Sequence, residues 1–99
     1  MQKTVKVLGI DPGSRHLGYG VVSKDGTTIK THLHGTLHFS EKKDIFARLP
    51  DIYLGIAKII EAEKPTHVAI EKVFFAKNAL SALKLGQARG VVLLAVAER

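Results

Sequence analysis

Val5-Lys6-Val7-Leu8-Gly9-Ile10 leads into Asp11-Pro12-Gly13-Ser14, and sixty residues after that aspartate His67-Val68-Ala69-Ile70 leads into Glu71. Each is an apolar, β-branched run closed by one carboxylate. That pattern predicts a buried strand with an acid at its end. An acid so placed lies at the rim of a sheet, where water and ligands reach it. Two such strands side by side would bring Asp11 and Glu71 together. Converging carboxylates repel one another, and a divalent cation held between them relieves the repulsion. The two residues are therefore candidate metal ligands.

The rest of the chain supplies the frame for such a pair. Gly18–Ser23 reads as a second strand and Thr27–Leu37 as a third, joined at the Asp25-Gly26 turn signal into an antiparallel meander. Ser40 is a candidate N-cap for a helix over Glu41–Glu61, with Ile45, Leu49, Ile52, Ile56 and Ile59/Ile60 at helical spacing. Pro50 predicts a kink or a helix start. Glu63-Lys64-Pro65 ends the helix. His67–Glu71, reached by a helical crossover, is then expected to run parallel to the first strand. Asn78 is a candidate cap for a last helix over Ala79–Glu98, with Leu80, Leu83, Leu85, Val92 and Leu93 as its apolar side. Gly86 and Gly90 permit close approach of another helix or subunit.

Ninety-nine residues, 45% hydrophobic and 24% charged, suit one small domain. With no cysteine, disulfides and thiolate metal sites are excluded, so any metal must be held by oxygen or imidazole. No apolar segment follows a basic start, as a signal peptide requires, and the longest apolar stretch, Val91–Ala97, is too short to span a bilayer. A cytoplasmic location with no membrane partner is expected. The net charge of +6 favours a polyanionic partner. The last turn is apolar and Arg99 follows without a glycine cap, which reads as the front part of a longer protein.

Beside each candidate stands a plainer alternative. Asp11 could bond the backbone amides of Gly13 and Ser14 as a turn residue. Glu71, directly after Val-Ala-Ile and far from a turn signal, is harder to explain as a solvated side chain. Behind it, Lys72, Lys77, Lys84 and Arg89 occur with no acid before Glu98, and Phe74-Phe75 lies among them. Cations neutralise phosphates and a ring stacks on an unpaired base, so this segment suits nucleic acid. The alternative is core phenylalanines beside a solvated lysine face. His32 and His34 share a strand face and could ligate a metal, or be ordinary exposed strand residues. Gly86-Gln87-Ala88-Arg89-Gly90 lacks the strand and the Gly-Lys-Ser/Thr of a phosphate loop.

Leu8-Gly9-Ile10-Asp11-Pro12-Gly13-Ser14-Arg15, with Gly18-Tyr19-Gly20-Val21 after it, resembles the opening of RuvC-type Holliday junction resolvases. The run Ala69–Asn78, followed by Ser81-Ala82-Leu83-Lys84-Leu85-Gly86-Gln87-Ala88-Arg89-Gly90, resembles the second signature of the same family. The resemblance implies an α/β, ribonuclease-H-like mixed sheet: three antiparallel strands, then a parallel one, with flanking helices. Residues 1–99 would form that nuclease domain, truncated at its C-terminus. It implies a homodimer that cuts four-way DNA junctions, works with branch-migration proteins, and binds two Mg²⁺ through four acids. Asp11 and Glu71 match the first two acids. The other two have no counterpart before Arg99, so a chain ending there is expected to keep half the metal site and to be inactive alone. Phe74 matches the aromatic that stacks at the junction centre, and the helix from Asn78 one used in dimerisation. Arg15, Lys77, Lys84 and Arg89 are the further candidates for DNA contact.

Two other readings remain open. A phosphotransferase of the actin/sugar-kinase type also opens on a strand and a Gly-Ile-Asp-x-Gly-Ser-like loop, but wants a second phosphate loop and a longer chain. A catalytically dead DNA-binding fragment would follow from the missing carboxylates.

Overall fold

The computed structural model describes residues 4–40, 42–71 and 77–99. The chain runs β1 (Val5–Asp11), β2 (His16–Asp25), β3 (Thr28–His38), α1 (Ile45–Glu63), β4 (His67–Ile70) and α2 (Ala79–Ala97). The sheet order is β3-β2-β1-β4. β1, β2 and β3 are antiparallel neighbours, and β4 joins β1 in parallel. This is the mixed sheet that the patterning and the crossover predicted. Gly26, at φ 64, opens the two-residue β2–β3 turn, while Thr27 after it keeps a negative φ. A positive φ at the first central position alone is the type II′ arrangement.

Alternation divides the sheet into two faces. Leu8, Ile10, Leu17 and Val21 lie on one face and are at most 3% exposed. They form one core cluster with Ile52 and Ile56 of α1 and Ala88, Val92 and Ala95 of α2. Both helices therefore cover the same face. At α1 the approach is close: a Cβ on Gly55 would stand 2.7 Å from a methyl of Leu37 on β3.

Helix α1 starts later than Ser40 predicted. Asp44 is the N-cap and accepts a 2.9 Å bond from the Ala47 amide. The Ser40 hydroxyl instead accepts from the Lys42 amide at 3.2 Å, a local turn that competes with helix. The helix neither starts nor ends at Pro50. It removes one amide near the helix start, where the residue four before it, Phe46, is exposed. Lys64 ends the helix in the left-handed region, its amide donating to the Ile60 carbonyl at 2.9 Å. Pro65 then prevents continuation.

Helix α2 has the predicted cap, Asn78, which accepts from the Ser81 amide at 2.9 Å. Its predicted apolar side is corrected except at Val92, which is buried as expected. Leu80, Leu83 and Leu93 are exposed, and Leu94 with them, while Ala88, Val92 and Ala95 are buried. The helix is apolar on both sides, so periodicity alone did not select the buried one. By length and composition alone α2 is long enough and apolar enough to cross a membrane. Its alanine side is packed as a core helix is.

Candidate active site

The site begins at the other end of β4. Thr66 fixes the register: its amide and its hydroxyl both donate to the Lys6 carbonyl, at 2.8 and 3.0 Å, and its hydroxyl accepts from the Lys6 amide at 2.9 Å. From there Val7 pairs with His67, Leu8 with Val68, Gly9 with Ala69 and Ile10 with Ile70. The Glu71 amide then donates to the Ile10 carbonyl at 3.0 Å, carrying the ladder one residue further. Asp11 and Glu71 thus end neighbouring parallel strands, which lie roughly 4.8 Å apart. Both follow core-facing residues, so both side chains belong to the opposite face, over which no described helix lies, and both are exposed. They line one open cleft of about 420 Å³ with Gly9, Ile10, Gly18, Tyr19, Ala69 and Ile70.

The glycines and alanine keep the cleft floor low beside the acids. Gly9 and Gly18 share the face of Asp11, so the backbone there is bare. No described residue gives the Asp11 carboxylate a hydrogen bond, so the turn-residue alternative, in which it bonds the Gly13 and Ser14 amides, is not the arrangement seen. The chemistry of the donors fits a hard cation: two carboxylate oxygen sources, open to solvent, with no thiol in the chain. Among the described residues no third His, Cys, Asp or Glu joins them.

Two residues that shape the site were missed from sequence. Arg48 of α1 is 5% exposed, and its Nη1 donates to the Ser14 carbonyl at 2.9 Å. Its buried Nε finds no partner among the described residues. The guanidinium clamps the loop that follows Asp11. A cation on a nominal helix surface gives no sequence signal of this. The loop is tight in its own right: a Cβ on Gly13 would fall 2.1 Å from the His16 carbonyl. Tyr19, opposite Ile10 on β2, lines the cleft, and its ring crosses Gly35, where a Cβ would be 2.7 Å from the phenol oxygen. The Gly-Tyr-Gly spacing was legible as strand only.

The basic candidates are spread. Arg15 lies exposed in the loop after Asp11, and Lys77 is exposed just before α2. Lys84 and Arg89 are half-buried on α2, roughly 140° apart around its axis. The structure does not gather all four on one surface. Lys72, Phe74 and Phe75 lie outside the described residues. His32 and His34 are exposed on β3, and His32 Nε2 lies 2.8 Å from the Ser23 hydroxyl instead of sharing a ligand with His34.

A family model, crossover junction endodeoxyribonuclease RuvC, matches residues 7–99. Among curated proteins, the crossover junction endodeoxyribonuclease RuvC of Geotalea uraniireducens is 52% identical over 92% of this chain and 53% of its own length. That of Sorangium cellulosum is 48% identical over 94% of this chain and 52% of its own. The chain therefore spans about half the length of the curated relatives it matches. Of solved structures, Thermus thermophilus RuvC in complex with Holliday junction substrate superposes with a TM-score of 0.83 at 31% identity, over 95% of this chain and 59% of that one. The Aquifex aeolicus PPX-GPPA enzyme superposes at 0.58 with 14% identity, over 97% of this chain and 33% of that one, a likeness of fold alone.

Proposed function

The chain belongs to the RuvC family of crossover junction endodeoxyribonucleases, and on that premise we propose that it carries the first half of a site that hydrolyses phosphodiester bonds in four-way DNA junctions. The observation that carries this reading is the register of β4 on β1, which sets Asp11 and Glu71 side by side over a bare, open cleft. The resemblance of the Ala69–Asn78 and Ser81–Gly90 segments to the family signature supports it.

Hydrolysis needs a water placed in line with the phosphorus, and a leaving oxygen whose charge is compensated. Mg²⁺ held by Asp11 and Glu71 would polarise the phosphoryl oxygen and make water a better nucleophile near neutral pH. The chain's own part is positional. Asp11 and Glu71 present oxygen donors from a rigid ladder, so neither must be ordered when substrate arrives. The glycine floor lets a sugar-phosphate backbone come close. Arg15, on the clamped loop, supplies positive charge beside two negative carboxylates that would repel DNA. Lys77 and part of the α2 cation set extend that charge. Phe74, three residues after Glu71, is proposed to stack on a base exposed where the arms meet.

The exposed side of α2 is proposed as a homodimer surface. Leu80, Leu83, Leu93 and Leu94 fall on one arc of the helix with Gly86 and Gly90, roughly opposite the buried alanines. A Cβ at either glycine would meet nothing within 4 Å, so a second helix could approach closely there. The protein would act on DNA in the cytoplasm.

The deciding experiment compares binding and cleavage of a four-way junction by the full-length protein, which supplies the remaining carboxylates, and by its Asp11→Asn variant. Cleavage should be lost while junction affinity stays close to native. Equal loss of both would make Asp11 a structural residue and remove the reading.

A further inference from the structure

Outside the carboxylate cleft the described residues hold one other convergence of metal-ligating atoms. His16 opens β2 and His38 closes β3, and the two are direct cross-strand partners. Their Nδ1 atoms are 2.8 Å apart, with the rings edge to face at 79° and centroids 4.9 Å apart. The neighbouring pair, Arg15 and Phe39, is joined by a backbone bond from the Phe39 amide to the Arg15 carbonyl at 2.8 Å. In an antiparallel ladder bonded and non-bonded pairs alternate, so His16 and His38 occupy a non-bonded pair, where side chains stand closest.

Two neutral imidazoles can meet Nδ1 to Nδ1 only if one donates its proton to the lone pair of the other. When the donor ring carries its proton on Nε2 instead, both Nδ1 lone pairs are free, and turning each ring outward from the line between them aims both at one ion. Two nitrogens on one ion at 2.0–2.1 Å each lie roughly 3 Å apart, so the present spacing of 2.8 Å is close to that of a shared ion and the rings need mainly to turn. We propose that His16 and His38 form a two-histidine site for a borderline divalent transition ion of the Zn²⁺, Co²⁺ or Ni²⁺ class. Imidazole selects such ions over Mg²⁺, whereas carboxylate oxygen is a ligand that Mg²⁺ accepts. The pair is thus chemically separate from Asp11 and Glu71. No third described His, Cys, Asp or Glu completes it, so water fills the remaining positions. Both rings are exposed, which gives the ion direct access.

The site has a structural consequence. His16 directly follows the loop of residues 12–15, and His38 stands at the far end of β3. An ion bridging them staples the mouth of the β2–β3 ladder at the root of the loop that carries Arg15. Mass action then links metal concentration to the stability of that end of the sheet.

The test uses Ni²⁺ as the probe on the native protein, with Mg²⁺ as control. Ni²⁺ at about five times its dissociation constant should raise the melting temperature by about 4–8 °C, and should broaden the imidazole NMR signals of His16 and His38 together. His16→Gln and His38→Gln should each abolish the rise, because one imidazole does not chelate. The double variant Asp11→Asn with Glu71→Gln should keep it. No rise in the native protein would overturn the proposal. So would a rise that survives either histidine variant, or one that vanishes with the carboxylates.

Discussion

The two faces of the sheet are made by alternate residues of the same strands, and they have opposite compositions. One carries Leu8, Ile10, Leu17 and Val21, closed over by α1 and α2. The other carries Gly9, Asp11, His16, Gly18 and Gly20, and Glu71 beyond the end of β4, with no described helix over it. Stability is concentrated on the first face, where each buried aliphatic side chain contributes roughly 1.5–3 kcal/mol. The second contributes little burial and presents donor atoms. A single strand therefore serves both ends, because a period of two separates what must be buried from what must be reached. The expected consequence is a clean separation of phenotypes: changes on the covered face should lower melting and activity together, and changes on the open face activity alone.

The largest expected effect lies on the open face. On the proposed function, Asp11→Asn in the full-length protein should slow cleavage of a four-way junction by about a thousandfold or more, ~4 kcal/mol in barrier. Its melting temperature should be no lower than that of the native protein, since the carboxylate has no described hydrogen-bond partner to lose and its repulsion with Glu71 is relieved. A melting loss as large as that of a core variant would break the comparison at its most important residue.

On the covered face, Leu17→Ala removes a fully buried side chain. It should cost about 2–5 kcal/mol, read by denaturant or thermal unfolding. Val22, on the other face and 39% exposed, should tolerate Val22→Ala within about 1 kcal/mol. Similar costs at both positions would mean the open face is covered in the assembled protein.

Arg48 lies where the two faces meet, since it enters from α1 and holds the loop after Asp11. Arg48→Met keeps the apolar stem and removes the donor. A hydrogen bond from a charged group contributes about 1.5–3 kcal/mol, so a melting loss of that order is expected. Cleavage should fall further than stability explains, because the Ser14 carbonyl and Arg15 lose their anchor. A variant that melts early but cuts at the native rate would confine Arg48 to the core.

How much of this could be read from sequence varied with the kind of signal. β1 and β4 announced themselves by β-branched runs, and their parallel pairing followed from the helical crossover. The Asp11–Glu71 convergence followed from where those runs end. Its register did not, because that rests on Thr66 bonding Lys6, which no pattern reveals. The α1 start was misplaced because Ser40 and Asp44 are both good caps, and only the fold decides between them. Arg48 and the His16–His38 pair depend on contacts 34 and 22 residues apart. Their neighbours in sequence carry no trace of them.

The smallest expected effect on stability tests the one region where the sequence misjudged which side is buried. Leu80, Leu83, Leu93 and Leu94 on α2 are 40–60% exposed, beside two glycines that leave open space. If that side is a dimer surface, each leucine is idle in the folded monomer. Leu83→Gln should then change the melting of monomeric protein by no more than about 0.5 kcal/mol. Sedimentation should show the dimer weakened under the same conditions. A stability loss of about 2 kcal/mol or more in the monomer would instead return Leu83 to the core, as its spacing first suggested. An unchanged dimer with unchanged melting would remove this side of α2 from the interface. The contrast with Val92, which is fully buried on the opposite side of the same helix, makes the measurement decisive. Val92→Ala should lower monomer stability by about 1–3 kcal/mol and leave association between folded copies unaltered.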